Sequence, residues 1–148
     1  MASIAQQAFA VAAGDAGILT WVQNDPTTRL VSGHFGEVKV PLKKPFGEMQ
    51  LLATVPTQPD PRDYQGILRW VLQDIPAAGW ARIEQGLALF EAAYGTSRRS
   101  GTLWYDAATR EDVWRLEYVG RSNPFEDQDR QLFQRWLDWS YRITYRRA

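Results

Sequence analysis

Few side chains in this sequence could carry out chemistry, and their spacing limits what that chemistry could be. His34 is the only histidine, and it lies between Gly33 and Gly36 in a predicted turn, where an imidazole could act as an acid or a base. Spacing assigns it no nucleophile and no orienting carboxylate, so we interpret it as a turn residue. The chain has no cysteine, which excludes disulfides, zinc–thiolate sites and thiol nucleophiles. Glycine-rich phosphate loops and EF-hand spacing are also absent, and we predict no metal site and no cofactor.

One pattern is typical of Mg²⁺-dependent catalysis. Asp25 precedes a predicted strand pair, and Glu37 and Lys39 lie on one face of a later predicted strand. Two carboxylates can hold Mg²⁺ while a lysine orients or activates the attacking water. The arrangement resembles the acid…E-x-K motif of the restriction-nuclease-like fold, which implies a Mg-dependent nuclease with these three residues as its catalytic set. A solvated strand face produces the same pattern, so the nuclease remains an alternative.

Arginines cluster before a predicted hairpin and again at the C-terminal end, where Tyr141 and Tyr145 lie between them. Arginine interleaved with aromatic residues is typical of surfaces that bind single-stranded nucleic acid. However, 17 Lys and Arg balance 17 Asp and Glu, so the molecule as a whole does not attract a polyanion over long range. Nucleic-acid binding is therefore a second alternative, and its candidate residues are Arg98, Arg99, Arg142, Arg146 and Arg147.

The chain is rich in tryptophan, with seven residues of this type. Trp70 lies off the apolar stripe of one predicted helix, and Trp139 lies at the edge of the stripe of another. Exposed rings there would form a partner-binding surface, because tryptophan is enriched at binding hot spots. A helix covered on two sides would bury the same rings. The candidate partner-binding residues are Trp70, Trp139, Tyr141 and Tyr145.

Periodicity and turn signals predict the elements that position these residues. A helix over residues 3–13, capped by Ser3, is followed by strands over 17–23, 29–32, 37–42 and 48–55. The short connections favour an antiparallel meander. A helix then begins with Asp60 as its cap and Pro61 at its first position, and its apolar spacing continues to Ile75. Another helix is predicted over 78–94, although residues 86–91 could instead form a strand.

The last third of the chain predicts a β-hairpin and a closing helix. The hairpin strands cover residues 102–106 and 112–119, with Trp114, Leu116 and Tyr118 on one face of the second strand. Asn123 is the predicted helix cap, and Pro124 takes the first helical position. The predicted buried stripe of this helix comprises Leu132, Phe133, Trp136, Leu137, Ser140 and Ile143.

Length and composition are those of one globular domain over residues 1–148, with 45% hydrophobic and 23% charged residues. No apolar run reaches the roughly 18–20 residues needed to cross a bilayer, so we expect no membrane partner. The first basic residue is Arg29, and residues 1–13 therefore lack the basic start of a secretory signal. We expect a cytoplasmic protein.

These elements predict an α+β fold, a single antiparallel sheet (meander plus C-terminal hairpin) packed against helices in the order α-β-β-β-β-α-α-β-β-α. That order resembles the small dimeric chaperones of type III secretion, but this chain has an additional helix and lacks their acidic charge, so no residue role is transferred. We predict a non-catalytic cytoplasmic protein-binding module, an adaptor or chaperone-like protein that binds a protein partner or a second copy as a homodimer. Its edge strands would also be open to a strand from a partner.

Overall fold

The computed structural model describes residues 3–33, 43–56 and 63–146, with the backbone alone described for 53–56. Three short helices come first, and a largely β-structured chain with one longer helix follows. A 3-10 turn over Pro76–Ala78 precedes that helix. The helices are α1 (Ile4–Ala13), α2 (Ala16–Trp21), α3 (Pro26–Arg29) and α4 (Ala81–Tyr94), and the strands are β1 (Leu30–Ser32), β2 (Phe46–Pro56), β3 (Asp63–Asp74), β4 (Arg99–Asp106), β5 (Glu111–Arg121), β6 (Phe125–Asp127) and β7 (Leu132–Tyr145).

The strands form one mixed sheet in the order β1-β2-β3-β7-β5-β4, and β6 pairs with the start of β7 beyond the end of β5. β1 runs parallel to β2, whereas the other described pairs are antiparallel. The sheet curls into a half-barrel packed with helices. The predicted single antiparallel sheet is therefore wrong, although the fold is α+β. Residues 33–45 separate β1 from β2, and a connection of about a dozen residues is long enough for a parallel crossover.

The N-terminal helix was predicted correctly from its cap. The Ser3 hydroxyl accepts the amide of Gln6 at 3.2 Å, and the Gln6 side chain accepts the Ser3 amide at 2.8 Å, which completes a capping box. The strand predicted over 17–23 is instead helix α2. Asp15 caps it through the amide of Ile18 at 3.0 Å, and burial of Ile18 and Trp21 outweighs their β-propensity.

Two predicted helices are the two central strands of the sheet. The segment from Asp60 to Ile75 contains β3, whose neighbours are β2 and β7. The segment after Asn123 contains β6 and β7 rather than a closing helix. Because β3 is largely buried on both faces near its end, its apolar residues do not alternate cleanly, and the sequence pattern imitates a helix.

The remaining described elements agree with the sequence predictions. β1 and β2 match the strands predicted over 29–32 and 48–55, α4 matches the helix over 78–94, and β4 and β5 form the predicted hairpin. The predicted common face of Trp114, Leu116 and Tyr118 is wrong, because a bulge between Val113 and Arg115 places Trp114 on the side opposite the buried Leu116. The strand predicted over 37–42 lies outside the described residues.

The core lies between the helices and one face of the sheet. Trp70 of β3 contacts Phe90 of α4 at a ring-centroid distance of 4.7 Å and stacks on Phe9 of α1 at 5.9 Å. From β7, Trp139 contacts Tyr94 at 5.1 Å. Residues on this inner face alternate with residues on the opposite side of each strand, and that side is therefore turned away from the core.

Candidate functional site

The candidate site is the sheet face opposite α1 and α4, which we call the open face. On β3 and β7 the inner residues are buried tryptophans and leucines, and the intervening side chains project to the other side. The open face is mostly polar and contains aromatic and guanidinium groups, but at its β2 end Phe46, Glu48, Val71 and Gln73 are buried. Its main residues are Glu48 and Gln50 of β2; Gln65, Arg69, Val71 and Gln73 of β3; Gln134, Trp136, Asp138, Ser140, Arg142 and Thr144 of β7; and Trp114 and Arg115 of β5.

An ion pair stacked beside an aromatic ring occupies the centre of the open face. Arg69 and Asp138 lie opposite each other on β3 and β7, and two N–H···O contacts of 2.7 and 2.9 Å join them in a bidentate pair. The guanidinium carbon lies 5.0 Å from the ring centroid of Trp136. The hydrogen bonds that Arg69 donates to Asp138 raise the pKa of Arg69 above its usual value, so this cation stays charged. These contacts hold the three side chains in one arrangement.

A row of amide groups extends from this cluster toward β2. Lys44 donates to the Gln73 side-chain oxygen at 3.3 Å, and the Gln73 amide donates to Gln134 at 2.9 Å. Gln73 is only 5% exposed, so the row is partly enclosed. A cavity of about 300 Å³ opens here, lined by Glu48, Gln50, Arg69, Val71, Gln73, Arg130, Gln134 and Trp136.

A pair of arginines lies toward the other end of the open face. Arg142 of β7 is directly opposite Arg115 of β5 and, on its other side, Gln65 of β3. The indole N–H of Trp114 donates to the Thr144 hydroxyl at 3.0 Å, which holds that ring on the same face. Two guanidinium groups and an indole thus lie together on neighbouring strands.

The open face is large enough for a protein interface. β3 and β7 pair over twelve positions, which corresponds to a length of about 40 Å. Four strands spaced by about 4.8 Å give a width of about 20 Å and hence a projected area of about 800 Å². The accessible area is smaller, because Glu48, Val71 and Gln73 at the β2 end are only 4, 7 and 5% exposed. Phe125 of β6, which is 51% exposed, pairs with Gln134 and so extends this face with an apolar side chain.

The predicted partner-binding residues lie mostly in the core. Trp70 and Trp139 are both 0% exposed, and Tyr141 is 5% exposed. These three rings are therefore buried in the core and do not form a surface. The Trp139 indole donates to the Gly95 carbonyl at 2.8 Å, and burial raises the pKa of Tyr141. Tyr145 alone is substantially exposed, at 37%, and it packs edge-on against Tyr64. A binding partner could therefore contact only Tyr145 among these four predicted residues.

The predicted nucleic-acid residues do not form one surface. Arg98 and Arg99 are exposed near the start of β4, whereas Arg142 is half-buried on the open face. Arg146 is bound to Asp112 at 2.9 Å. Arg147 lies outside the described residues. The C-terminal arginines were predicted to lie near the end of a helix, but that segment is a strand, and its alternation directs neighbouring side chains to opposite faces.

The predicted nuclease set cannot be assembled from the described residues. Asp25 accepts a hydrogen bond from the Thr28 hydroxyl and lies 3.7 Å from Arg29, and the hydrogen bond from Thr28 lowers its pKa. Glu37 and Lys39 lie outside the described residues. Within the described ranges, no group of three or more His, Cys, Asp or Glu side chains could hold a metal ion. In the same ranges, no helix is both long and apolar enough to cross a membrane.

The β4 edge of the sheet is partly covered, so it is a weaker candidate for partner binding than the open face. The Gln7 amide donates to the Tyr105 carbonyl at 2.6 Å and accepts the Tyr105 N–H at 3.1 Å, as a neighbouring strand would. A bulge between Ser100 and Trp104 interrupts the rest of this edge. Both features are known ways of preventing edge-to-edge pairing.

Sequence reasoning did not identify Arg69, Asp138 and Trp136 as one cluster. The signal that could have found them is the alternation over 137–144, in which Leu137, Trp139, Tyr141 and Ile143 are buried and the intervening residues are more exposed. A period of two indicates a strand and places Asp138 with Trp136 on one face.

Comparison with known proteins relates this architecture to solved structures. No protein-family model matches the sequence, and no curated protein matches it. One similar solved structure is described as a virion of a native gene transfer agent particle, with a TM-score of 0.64, 14% identity and coverage of 95% of both chains. A second, whose description gives no activity, has a TM-score of 0.57 and 14% identity and covers 96% of this chain and 98% of its own. The chain shares its fold with both over nearly its full length.

Proposed function

We propose that this protein is a non-catalytic structural subunit of a virus-like particle, and that it binds neighbouring subunits through its open face. The observation that carries the proposal is the likeness to the gene transfer agent virion protein, which covers 95% of both chains. A protein with that fold in a particle has subunit contacts to make. The open face supplies a surface of suitable size and composition.

The size and chemistry of the open face support this role. A typical specific interface buries about 800 Å² on each partner, and the projected area of the face is of that order, although its β2 end is already buried. Tryptophan and arginine dominate the binding energy of interfaces, and Trp136 and Arg69 lie together at its centre. Because Asp138 already neutralises Arg69, a partner that covers the pair does not have to bury an isolated charge.

The same side chains suit a contact surface better than a reaction centre. Arg69 and Asp138 are hydrogen-bonded to each other, and the Gln73 side chain is hydrogen-bonded to Lys44 and Gln134. Groups in fixed mutual bonds give shape and specificity, whereas a general acid or base must be able to exchange its proton with a substrate. The proposal includes assembly in the cytoplasm and leaves the partner as either a second copy or a different subunit.

Incorporation into particles tests the proposal. An epitope-tagged chain is expressed in the native host, particles are purified by density gradient, and the tag is measured in the particle fraction. The wild-type chain should sediment with the particles, and Trp136→Ala should reduce its incorporation by about 30-fold, since truncation of a hot-spot residue costs about 2 kcal/mol.

Trp80→Ala is the matched control. Trp80 is also half-buried, but it stacks on Phe133 on the helix side of the sheet at a centroid distance of 4.1 Å. Circular dichroism confirms that both variants are folded. Equal incorporation of Trp136→Ala and Trp80→Ala would show that the open face does not mediate assembly. A wild-type chain that never sediments with particles would refute the structural role itself.

A further inference from the structure

Arg142 is in an unusual position on the open face. It is half-buried at the middle of a three-strand segment, with Gln65 on one side and Arg115 on the other. Directly opposite like charges destabilise a sheet pair by up to about 1 kcal/mol. Arg115 is compensated, because its guanidinium donates to Glu117 at 2.8 Å. Arg142 has no hydrogen bond or ion pair with any residue in the described ranges.

The nearby carboxylates have other partners. Asp63 accepts the Thr144 hydroxyl at 2.6 Å, and Oδ2 of Asp112 accepts from Arg146 at 2.9 Å, while the buried Oδ1 of Asp112 has no hydrogen bond to any described residue. The Arg142 guanidinium has five N–H donors, and since none of its nitrogen atoms is buried without a partner, water is their partner in the isolated chain. The isolated chain therefore retains a cation that its own described residues do not compensate.

We propose that Arg142, assisted by Arg115, binds a carboxylate side chain of a neighbouring subunit when the open face is covered. This inference rests on the proposed function and specifies the chemistry of the partner. A guanidinium and a carboxylate can form two parallel hydrogen bonds, as Arg69 and Asp138 do on the same face. The Trp114 ring, held by Thr144, provides a flat wall beside the acidic residue.

A single protein carboxylate fits this site better than the phosphate backbone of a nucleic acid. Polyanion binding depends on several cations that neutralise successive phosphates. Here the formal charge of the chain is zero, and Arg69 and Arg115 on the open face are already paired with Asp138 and Glu117. One uncompensated cation next to one compensated cation provides a site for one negative charge.

Arg142→Gln separates a binding role from a structural one. Removal of the like-charge contact should leave the melting temperature of the free chain unchanged or higher, while incorporation into particles falls at least tenfold. Arg98→Gln is the matched control, because Arg98 is an exposed arginine in the loop before β4. A lower melting temperature with normal incorporation would overturn the inference.

The same assay distinguishes this inference from the proposed function. If Trp136→Ala prevents incorporation and Arg142→Gln does not, the open-face proposal stands and the carboxylate site is wrong. If the wild-type chain does not enter particles, the proposed function fails and the inference fails with it.

The ligand chemistry is tested directly on the free protein. Arginine Nε–H and tryptophan indole NMR signals are followed during titration with the peptide Gly-Glu-Trp-Glu-Gly and, separately, with Gly-Gln-Trp-Gln-Gly. The Arg142 and Trp114 signals should shift with the acidic peptide only, and Arg142→Gln should abolish the shift at Trp114. Equal shifts with both peptides, or no shift with either, would contradict the proposal. A stronger response to a dT15 oligonucleotide would overturn it in favour of phosphate binding.

Discussion

Replacing Gly86 with alanine should destabilise the protein, although alanine is the better helix former. Gly86 lies inside α4, where the exchange would by itself stabilise the helix by about 1 kcal/mol. A Cβ at this position would lie 2.6 and 2.7 Å from two ring carbons of Trp21 and 3.1 Å from Leu72. The substitution therefore combines a gain in helix propensity with a steric cost in the core, and the free energy of unfolding reports the difference between them.

The Trp21 ring has little freedom to move away. Its indole N–H donates to the Arg82 carbonyl at 2.7 Å, and its ring packs edge-on against Phe90 at 6.0 Å. Overpacking of a tightly filled core costs about 1–3 kcal/mol. After subtraction of the gain in helix propensity, Gly86→Ala should lower the free energy of unfolding by up to about 2 kcal/mol.

Urea unfolding followed by circular dichroism measures this change. Ala88→Gly, at an exposed position of the same helix, is the control for propensity alone and should cost about 1 kcal/mol. Trp21→Phe removes the ring atoms nearest to Gly86, so Gly86→Ala should cost less in that background than in the wild type. A more stable Gly86→Ala protein would refute the packing of α2 against α4.

Two further predictions concern the sheet edge and the charged surface of α4. Gln7→Ala removes two hydrogen bonds from the backbone of the edge strand β4, each worth about 0.5–1.5 kcal/mol, and should promote concentration-dependent self-association. Light scattering checks this, and a variant that stays monodisperse would show that Gln7 does not protect the edge. The hydrogen bonds from Arg121 hold the pKa of Glu91 below its usual value of 4.5. Because the folded pKa is depressed, the carboxylate's contribution to stability is fully present above about pH 4.5 and is lost as the pH falls through the folded value. The stability difference between wild type and Glu91→Gln, measured by urea unfolding, should therefore shrink in acid; a difference independent of pH would contradict the ion pair.

The sequence was most informative where the signals are local. Ser3 and Gln6 lie three residues apart and cap α1 with bonds to each other, so the start of this helix could be recognised without knowledge of its surroundings. The candidate site depended on distant residues. Arg69 and Asp138 meet only because β3 and β7 are neighbours, and sequence spacing contains no direct information about that pairing.

The C-terminal segment shows a conflict between two local signals. Asn123 and Pro124 favour a helix start, whereas the alternation from Leu137 to Thr144 favours a strand. Backbone pairing with β3 on one side and with β5 and β6 on the other decides the outcome. A helix in this segment would leave three strands without their hydrogen-bond partner.

The sequence alone determined the cysteine-free composition, the balance of charge, the caps and the amphipathic helix α4. These depend on residue types and on contacts within a few positions. Tertiary structure alone decided that β3 and β7 form the centre of the sheet, that Trp70 and Trp139 belong to the core, and that Arg69, Trp136 and Arg142 share the opposite face. The physical reason is that a strand acquires its hydrogen-bond partners and its two environments from other strands, so its faces are defined only when the sheet is assembled.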